Sequence, residues 1–206
     1  MTPIADIELF LREFDKRVKL DWNNIKIIDP CAGGNPEIKD ENGRVKEVYH
    51  PMSYSMAIHN VFGNCNVNNI DIREDSLAET KGDYLKKNVK DFAPQVIITN
   101  PPFNIAPSII EKALDDVAED GYVIMLLRLN FFGSKDRFPF FQKYLPEWCF
   151  VHHIRIGFTD KKDSDGYVVI NSKTGLPKRG STDSIEYCHI VFRKSYKPEF
   201  TKLVVI

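Results

Sequence analysis

Residues 96–104 read Val-Ile-Ile-Thr-Asn-Pro-Pro-Phe-Asn. The first four residues are apolar or β-branched, which predicts a short strand buried on both faces of a sheet. This strand ends at once in a carboxamide, two rigid prolines and a large aromatic ring. In open α/β sheets, ligands bind at the carboxyl ends of the strands. The stretch therefore predicts a ligand site built by Asn100, Pro101, Pro102 and Phe103.

Length and composition limit the class of protein. The chain has 206 residues, of which 43% are hydrophobic, so one core and a single domain spanning residues 1–206 are expected. Its 28 basic and 29 acidic residues nearly cancel, so any attraction to phosphate must come from a local patch. The cysteines show no paired spacing, and no apolar run is long enough for a signal or a membrane span. These features predict a reducing, cytoplasmic location and no membrane.

Two further strands upstream are each expected to end in a carboxylate. The first ends at Asp29, and residues 29–34 read Asp-Pro-Cys-Ala-Gly-Gly, in which the glycines would let the backbone approach a ligand. The second ends at Asp71, whose carboxylate can accept hydrogen bonds from both hydroxyls of a ribose. Asp83, in a later turn, can contact the amine of a bound base. Without a ligand, these features are a tight turn, a solvated aspartate and a helix cap.

The remaining pattern predicts helices that alternate with strands. Helical spacing of apolar residues recurs over residues 4–20, 52–62 and 107–117, and a shorter helix is expected over 136–144. Thr2 is expected to cap the first helix. Further strands are expected over residues 122–127, 150–156 and 185–192. This alternation indicates a doubly wound, mostly parallel α/β sheet.

Two polar segments interrupt the pattern. Residues 36–50 form a charged insertion around Asn42-Gly43, a dipeptide that is typical of a hairpin turn. Residues 157–184 form a long, glycine-containing connection, and long loops in compact domains are usually functional or disordered. The connection carries five cations that are candidates to face phosphate: Lys161, Lys162, Lys173, Lys178 and Arg179. Because aspartates are interleaved with them, an ordinary solvated loop is the alternative.

The turn at 29–34, the acidic residue that ends the next strand, the Gly-Asp-Tyr at 82–84 and the Asn-Pro-Pro-Phe at 100–103 together resemble one family. It is the S-adenosylmethionine-dependent amino-methyltransferases, most closely the DNA adenine-N6 class, and the resemblance covers residues 25–128. It implies a Rossmann-like class I methyltransferase fold, with a seven-stranded, mostly parallel sheet containing one antiparallel strand. It also implies which residues bind S-adenosyl-L-methionine: Asp29, Pro30, Cys31, Ala32, Gly33, Gly34, Asp71, Ile72, Asp83, Tyr84 and Asn100.

The Asn-Pro-Pro-Phe quartet suits the activation of an aromatic amine. Such an amine is a poor nucleophile because its lone pair is delocalised into the ring. The side-chain oxygen of Asn100 and the backbone carbonyl of Pro101 can each accept one N–H and favour a pyramidal nitrogen. Phe103 offers a face on which an extruded base can stack. The expected activity is methyl transfer to N6 of adenine in DNA, with Asn100 to Phe103 as catalytic residues and with Phe103 and the five cations contacting DNA.

Alternatives stay open at this point. The same quartet serves RNA adenine, DNA cytosine-N4 and a protein glutamine amide, and a rival of another class is a noncatalytic binding or regulatory subunit. The cysteines and histidines at 149–153 and 188–189 lack paired-ligand spacing, so no metal is expected. Sequence-reading members of the family commonly carry a separate target-recognition domain, whereas here only residues 36–50 and 157–184 are available. We therefore expect a loosely read site, a specificity partner or a homodimer.

Overall fold

The computed structural model describes residues 1–182 and 184–206. Its helices are α1 (Ile4–Val18), α2 (Ser53–Phe62), α3 (Ala106–Asp116) and α4 (Phe138–Lys143). Its strands are β1 (Lys26–Asp29), β2 (Ile38–Lys39), β3 (Val45–Glu47), β4 (Asn66–Asp71), β5 (Thr80–Lys81), β6 (Val96–Thr99), β7 (Tyr122–Arg128), β8 (Trp148–Val151), β9 (Tyr187–Arg193) and β10 (Lys202–Val205).

Eight of these strands form one sheet, in the order β10-β8-β9-β7-β6-β1-β4-β5. Strand β9 is antiparallel to both of its neighbours, β7 and β8, while the other pairs are parallel. The predicted doubly wound, mostly parallel sheet with one antiparallel strand is therefore confirmed. Six of its eight strands correspond to strands predicted from the sequence, and the two others, β5 and β10, pair in parallel at the two edges, so the sheet has one strand more than the seven that the resemblance implied.

The strand order places a switch of direction at β1. From β1 the chain moves outward to β4 and β5, and it then returns to add β6 and β7 on the other side of β1. Ligand sites in open α/β sheets lie outside the carboxyl ends of the strands at such a point. The carboxyl ends of β1 and β6 are Asp29 and Thr99, so the Asn100 turn starts at this position.

Helices cover both faces of the sheet, as the apolar run of β6 requires. Val96 and Ile98 pack in a cluster with the buried faces of α1 and α2, whereas Ile97 packs in a second cluster with α3. Successive side chains of a strand point to opposite faces of the sheet. Because helices cover both faces, all three side chains are completely buried. None of the helices in the described ranges has both the length and the apolar character needed to cross a membrane.

Two local predictions were wrong. Thr2 does not cap α1: Pro3 occupies the N-cap position without a side-chain hydrogen bond, and the Thr2 hydroxyl contacts Asn100 instead. The strand predicted over residues 150–156 is β8, which ends at Val151. Pairing with β9 ends there because β9 begins at Tyr187, whose carbonyl accepts from His152 N, and one further bond from His153 N to the Ile206 carbonyl follows before the chain leaves the sheet.

The two polar segments pack against each other. We call residues 36–50 and 157–182 the polar lobe. The Arg44 guanidinium lies 3.6 Å from the centre of the Tyr167 ring. The Tyr167 hydroxyl in turn donates to Asp40 Oδ2 at 2.8 Å. Segments that are more than a hundred residues apart in sequence thus form one unit.

Each part of the polar lobe has internal pairing. Strands β2 and β3 form the hairpin predicted around Asn42-Gly43, with Gly43 at a φ of 77°. The later segment is folded back on itself by isolated bridges, including one between Asp160 and Arg179. The segment predicted as 157–184 also contains Asp183, which lies outside the described residues. The polar lobe thus consists of a β-hairpin and a second segment that folds back on itself and packs against it.

Candidate active site

A cavity of about 490 Å³ lies at the switch point of the sheet, within the size range usual for small-ligand sites, about 300–1,000 Å³. Three chain segments predicted from the sequence meet in its wall: the turn after β1, the end of β4 and the turn after β6. The lining residues are Met1, Pro30, Cys31, Gly33, Asp71, Ile72, Arg73, Asp83, Tyr84, Leu85, Asn100, Pro101, Pro102, Phe103, Ile105, Ile109 and Phe158. Three predicted cofactor residues, Asp29, Ala32 and Gly34, lie behind this wall.

The turn after β6 presents two hydrogen-bond acceptors. The Asn100 side chain donates through Nδ2 to the Thr2 hydroxyl at 2.9 Å, which leaves Oδ1 as its remaining polar atom. The Pro102 carbonyl accepts from Ile105 N at 3.2 Å and closes the turn. Among the described residues, no donor contacts Asn100 Oδ1 or the Pro101 carbonyl. Both oxygens predicted to bind an amine are therefore available at the cavity.

Phe103 forms an aromatic wall beside these acceptors. Its ring lies 6.1 Å from that of Tyr187, and the guanidinium carbon of Arg128 lies 5.1 Å from its centre. Arg128 is at the end of β7 and was not identified from the sequence, because a single arginine after an apolar strand carries no distinguishing pattern. Its stacking holds the Phe103 ring in place.

Asp29 is fully buried beneath the turn that follows β1. Its Oδ1 accepts from the Thr99 hydroxyl at 2.6 Å and from Cys31 N at 3.2 Å. Its Oδ2 is buried and has no hydrogen-bond partner among the described residues. Burial raises the pKa of Asp29 to about 7, and the hydrogen bond from Thr99 partly opposes this rise. An orphaned carboxylate oxygen at this depth fits a cationic group of a ligand.

The glycine turn is tied directly to the end of β4. Gly33 N donates to Asp71 Oδ2 at 2.7 Å, and Arg73 N donates to Asp71 Oδ1 at 2.8 Å. Gly33 has a φ of +65°, and a Cβ there would meet no protein atom within 4 Å. A Cβ on Gly34, with a φ of +79°, would lie 2.8 Å from Leu77 Cβ. The backbone around Gly33 is thus bare toward the cavity, and Gly34 allows the turn to pack closely.

The opposite wall combines an apolar surface with charge. Ile72 is 65% exposed, although it is a large apolar residue, and it lines the cavity beside Asp71. Asp83 caps the short 3-10 turn that begins at Tyr84, accepting from Leu85 N at 3.0 Å, and it also lines the cavity. The cap predicted for Asp83 is confirmed. Asp71 and Asp83 thus bring two carboxylates to the cavity, and Arg73 lies 3.8 Å from the first of them.

The five predicted phosphate contacts lie outside this cavity. Lys161, Lys162, Lys173, Lys178 and Arg179 are exposed on the polar lobe, and within the described ranges none of them forms an ion pair. Arg179 lines a neighbouring cavity of about 500 Å³ between the start of α1 and the polar lobe. Met1 and Phe158 line both cavities, so the two spaces are adjacent.

His152, just after β8, and His189 of β9 are hydrogen-bonded to each other in the core. Tyr54 and His189 share a hydrogen bond of 3.0 Å, and His189 shares one of 2.9 Å with His152. Burial lowers the pKa of both histidines, that of His152 to about 4. Across the described residues, no group of three or more His, Cys, Asp or Glu side chains is arranged to hold a metal ion.

Comparison with known structures identifies the fold. The chain superposes on a protein from Listeria monocytogenes, described as a candidate class I S-adenosylmethionine-dependent methyltransferase, with a TM-score of 0.61 and 14% identity; the match covers 100% of this chain and 65% of that one. A protein from Agrobacterium tumefaciens, described as a predicted O-methyltransferase, matches with a TM-score of 0.51 and 12% identity, over 90% of this chain and 79% of that one. A candidate haemolysin from Lactococcus lactis matches with a TM-score of 0.54 and 11% identity, over 97% and 91%.

At these identities the likeness concerns the fold alone. No protein-family model and no curated protein matches the sequence. The chain has the Rossmann-like class I methyltransferase fold, as the sequence predicted. A fold of this kind hosts many chemistries, so the activity has to be argued from the site.

Proposed function

We propose that the protein is an S-adenosylmethionine-dependent N-methyltransferase whose substrate is the N6 amine of adenine in DNA. One observation carries the proposal. Asn100 Oδ1 and the Pro101 carbonyl, without donors among the described residues, lie in the same cavity wall as the Phe103 ring. A planar amine bound against this ring could donate one N–H to Asn100 Oδ1 and the other to the Pro101 carbonyl.

The two acceptors would act on the amine itself. Each accepted N–H shifts electron density toward the nitrogen and favours the pyramidal geometry of a nucleophile. Pro101 contributes through its backbone oxygen, and the fixed φ of Pro102 stiffens the chain that carries it. Phe103 would hold the ring of an extruded base by stacking, a contact worth about 1–3 kcal/mol. In-line positioning of the amine is then the main catalytic contribution.

The residues of the other wall fit S-adenosyl-L-methionine. Its sulfonium supplies an electrophilic methyl group. The bare backbone at Gly33 would contact the amino-acid part, and Asp29, whose orphaned Oδ2 is buried behind this turn, would attract its ammonium group. Asp71 would accept from the ribose hydroxyls while its existing bonds to Gly33 N and Arg73 N fix its position. Ile72 offers an apolar surface for the adenine and Asp83 a carboxylate for its amine.

The polar lobe favours a nucleic acid over a protein as the substrate, and the choice of DNA rests on the family resemblance of the Asn-Pro-Pro-Phe turn. Lys161, Lys162, Lys173, Lys178 and Arg179 are exposed there, and exposed cations without partners are suited to phosphate contacts. Phe158, in the same lobe, lines the cavity wall together with Asn100. The lobe is smaller than a separate target-recognition domain. The proposal therefore includes a short recognised DNA sequence, a specificity partner or a second copy of the chain.

A labelled-cofactor assay tests the proposal. The protein is incubated with methyl-labelled S-adenosylmethionine and separate pools of unmethylated DNA, RNA and protein. We expect label at N6 of adenine in DNA. Label at DNA cytosine-N4, in RNA adenine or in protein glutamine would keep the chemistry and refute the substrate. Bound cofactor with no transfer to any pool would favour the noncatalytic subunit.

Single substitutions test the assigned roles. Asn100→Ala should lower methyl transfer by at least a hundredfold, because removing an acceptor used in the transition state costs about 2.7–4 kcal/mol. Its affinity for the cofactor should stay within a few fold of the parent's. Asn64→Ala is a matched control, since Asn64 is an exposed asparagine in the turn after α2. Full activity of Asn100→Ala would refute the mechanism.

A salt titration tests the role of the lobe. Changing Lys161 or Lys178 to Gln should weaken DNA binding and reduce the slope of log affinity against log salt by up to about 1 per lost phosphate contact. Lys197→Gln removes an exposed cation outside the polar lobe and should leave the slope unchanged. Equal slopes in all variants would remove the lobe from the DNA-binding surface.

A further inference from the structure

We infer that Thr2 is a positioning residue for Asn100, an inference that rests on the proposed function. The Thr2 hydroxyl accepts from Asn100 Nδ2 at 2.9 Å across 98 residues of sequence. Thr2 is 6% exposed, so water does not readily replace this contact. The catalytic turn therefore depends on a residue that lies outside the sheet and outside the predicted cofactor turns.

The contact matters because the two ends of an asparagine amide are alike in shape and opposite in chemistry. Rotation about its last torsion is broad, and only the oxygen can accept an N–H from a substrate amine. An aromatic amine presents N–H groups and a delocalised lone pair, so it admits only the orientation with Oδ1 in the cavity. Nδ2 then points away from the substrate, and the Thr2 hydroxyl is the acceptor that receives it.

The placement of Thr2 supports a role at the site over a role in the helix. A threonine just before a helix commonly caps it, and loss of such a cap costs about 1 kcal/mol. Here α1 begins at Ile4 with no side-chain cap, and Pro3 holds the extended backbone that turns Thr2 toward Asn100. The Met1 nitrogen donates to the Phe158 carbonyl. The segment before α1 thus joins the catalytic turn to the polar lobe.

The experiment compares Thr2→Val, which keeps the shape and removes the hydroxyl, with Thr2→Ser, which keeps the hydroxyl. Leaving the partly buried Asn100 N–H group without its acceptor should lower kcat about 5- to 100-fold in Thr2→Val. Cofactor affinity should stay within about twofold, and Thr2→Ser should recover most of the lost kcat. A Thr2→Val enzyme with the kcat of the parent, or a Thr2→Ser enzyme as slow as Thr2→Val, would overturn the inference.

A second measurement observes the hydrogen bond without catalysis. The side-chain amide signals of Asn100 in the NMR spectrum can be assigned by their loss in Asn100→Ala. Their exchange with solvent should be slow in the parent and in Thr2→Ser and faster in Thr2→Val, and equal rates in all three would overturn the inference. A parent enzyme that transfers no methyl group would refute the proposed function and this inference together. An active parent with an unaffected Thr2→Val would refute the inference alone.

Discussion

Replacing Asp29 by Asn should change how the stability of the ligand-free protein depends on pH. The carboxyl is fully buried, and its pKa rises from 3.8 to about 7 on folding. This difference of about 3 units corresponds to roughly 4 kcal/mol. Because the folded pKa is the higher one, the associated stability is complete below about pH 4. It is lost progressively as the pH rises through 7.

The variant isolates this contribution. An asparagine can keep the acceptor for the Thr99 hydroxyl and for Cys31 N, and it does not ionise. Urea unfolding of the parent and of Asp29→Asn should be measured from pH 4.5 to 8. The free energy of unfolding of the parent should fall by about 3 kcal/mol relative to that of the variant over this range. A difference that stays constant with pH would refute the burial argument.

The same variant tests the proposed cofactor contact. A cationic group beside the orphaned Oδ2 would favour the ionised carboxylate, so cofactor affinity of the parent should increase relative to Asp29→Asn as the pH rises through 7. Calorimetric binding experiments at pH 6 and pH 8 measure the ratio of the two cofactor affinities. Protonation of the cofactor itself affects both proteins equally and cancels in this ratio. An identical pH dependence in the two proteins would remove Asp29 from the cofactor site.

Three further predictions concern other parts of the molecule. Gly34→Ala should reduce stability by roughly 1–3 kcal/mol and should also reduce cofactor affinity, because its Cβ would lie 2.8 Å from Leu77 Cβ at a positive φ. The control Gly43→Ala has a similar φ and open space around the Cβ, so it should reduce stability alone. Calorimetry of both variants measures the two effects. His152, whose pKa falls to about 4 on burial, should make the parent lose roughly 2 kcal/mol of stability relative to His152→Gln between pH 6.5 and 4.5, measured in urea titrations of both proteins. Arg44→Ala should accelerate amide exchange in the polar lobe and leave exchange in the sheet unchanged; equal acceleration in both would contradict a separate lobe.

The parts of the fold that depend on local pattern were predictable. The run Val96–Thr99 has no polar residue on either face except Thr99, and all four residues are buried as a doubly covered strand requires. Strands β5 and β10 were missed because strands of two and four residues at the edges of a sheet show little periodicity; Leu203 and Val205 of β10 are exposed. Ile154 and Ile156 gave the false extension of β8, since apolar residues after a strand do not reveal where its partner begins.

The candidate site was predictable where one short segment supplies several groups. Asn100 to Phe103 could be recognised because an amide, two prolines and an aromatic ring follow a strand directly. Thr2 could not be recognised, since its partner lies 98 residues away and its sequence context indicates a helix cap. The association of the two polar segments was likewise invisible, because pairing between distant, charged segments leaves no periodic signal in either of them.

The polar lobe has a consequence for the order in which the chain folds. Its two halves meet through contacts such as Tyr167 to Asp40, which are 127 residues apart in sequence, and most of its residues are exposed. Closing so long a loop costs chain entropy that few buried apolar groups repay here. We expect the sheet to form first and the lobe to dock last, and in the folded protein the lobe should open while the sheet stays intact. Such partial unfolding would move Phe158 away from the cavity that it lines and leave the bond between Gly33 N and Asp71 in place.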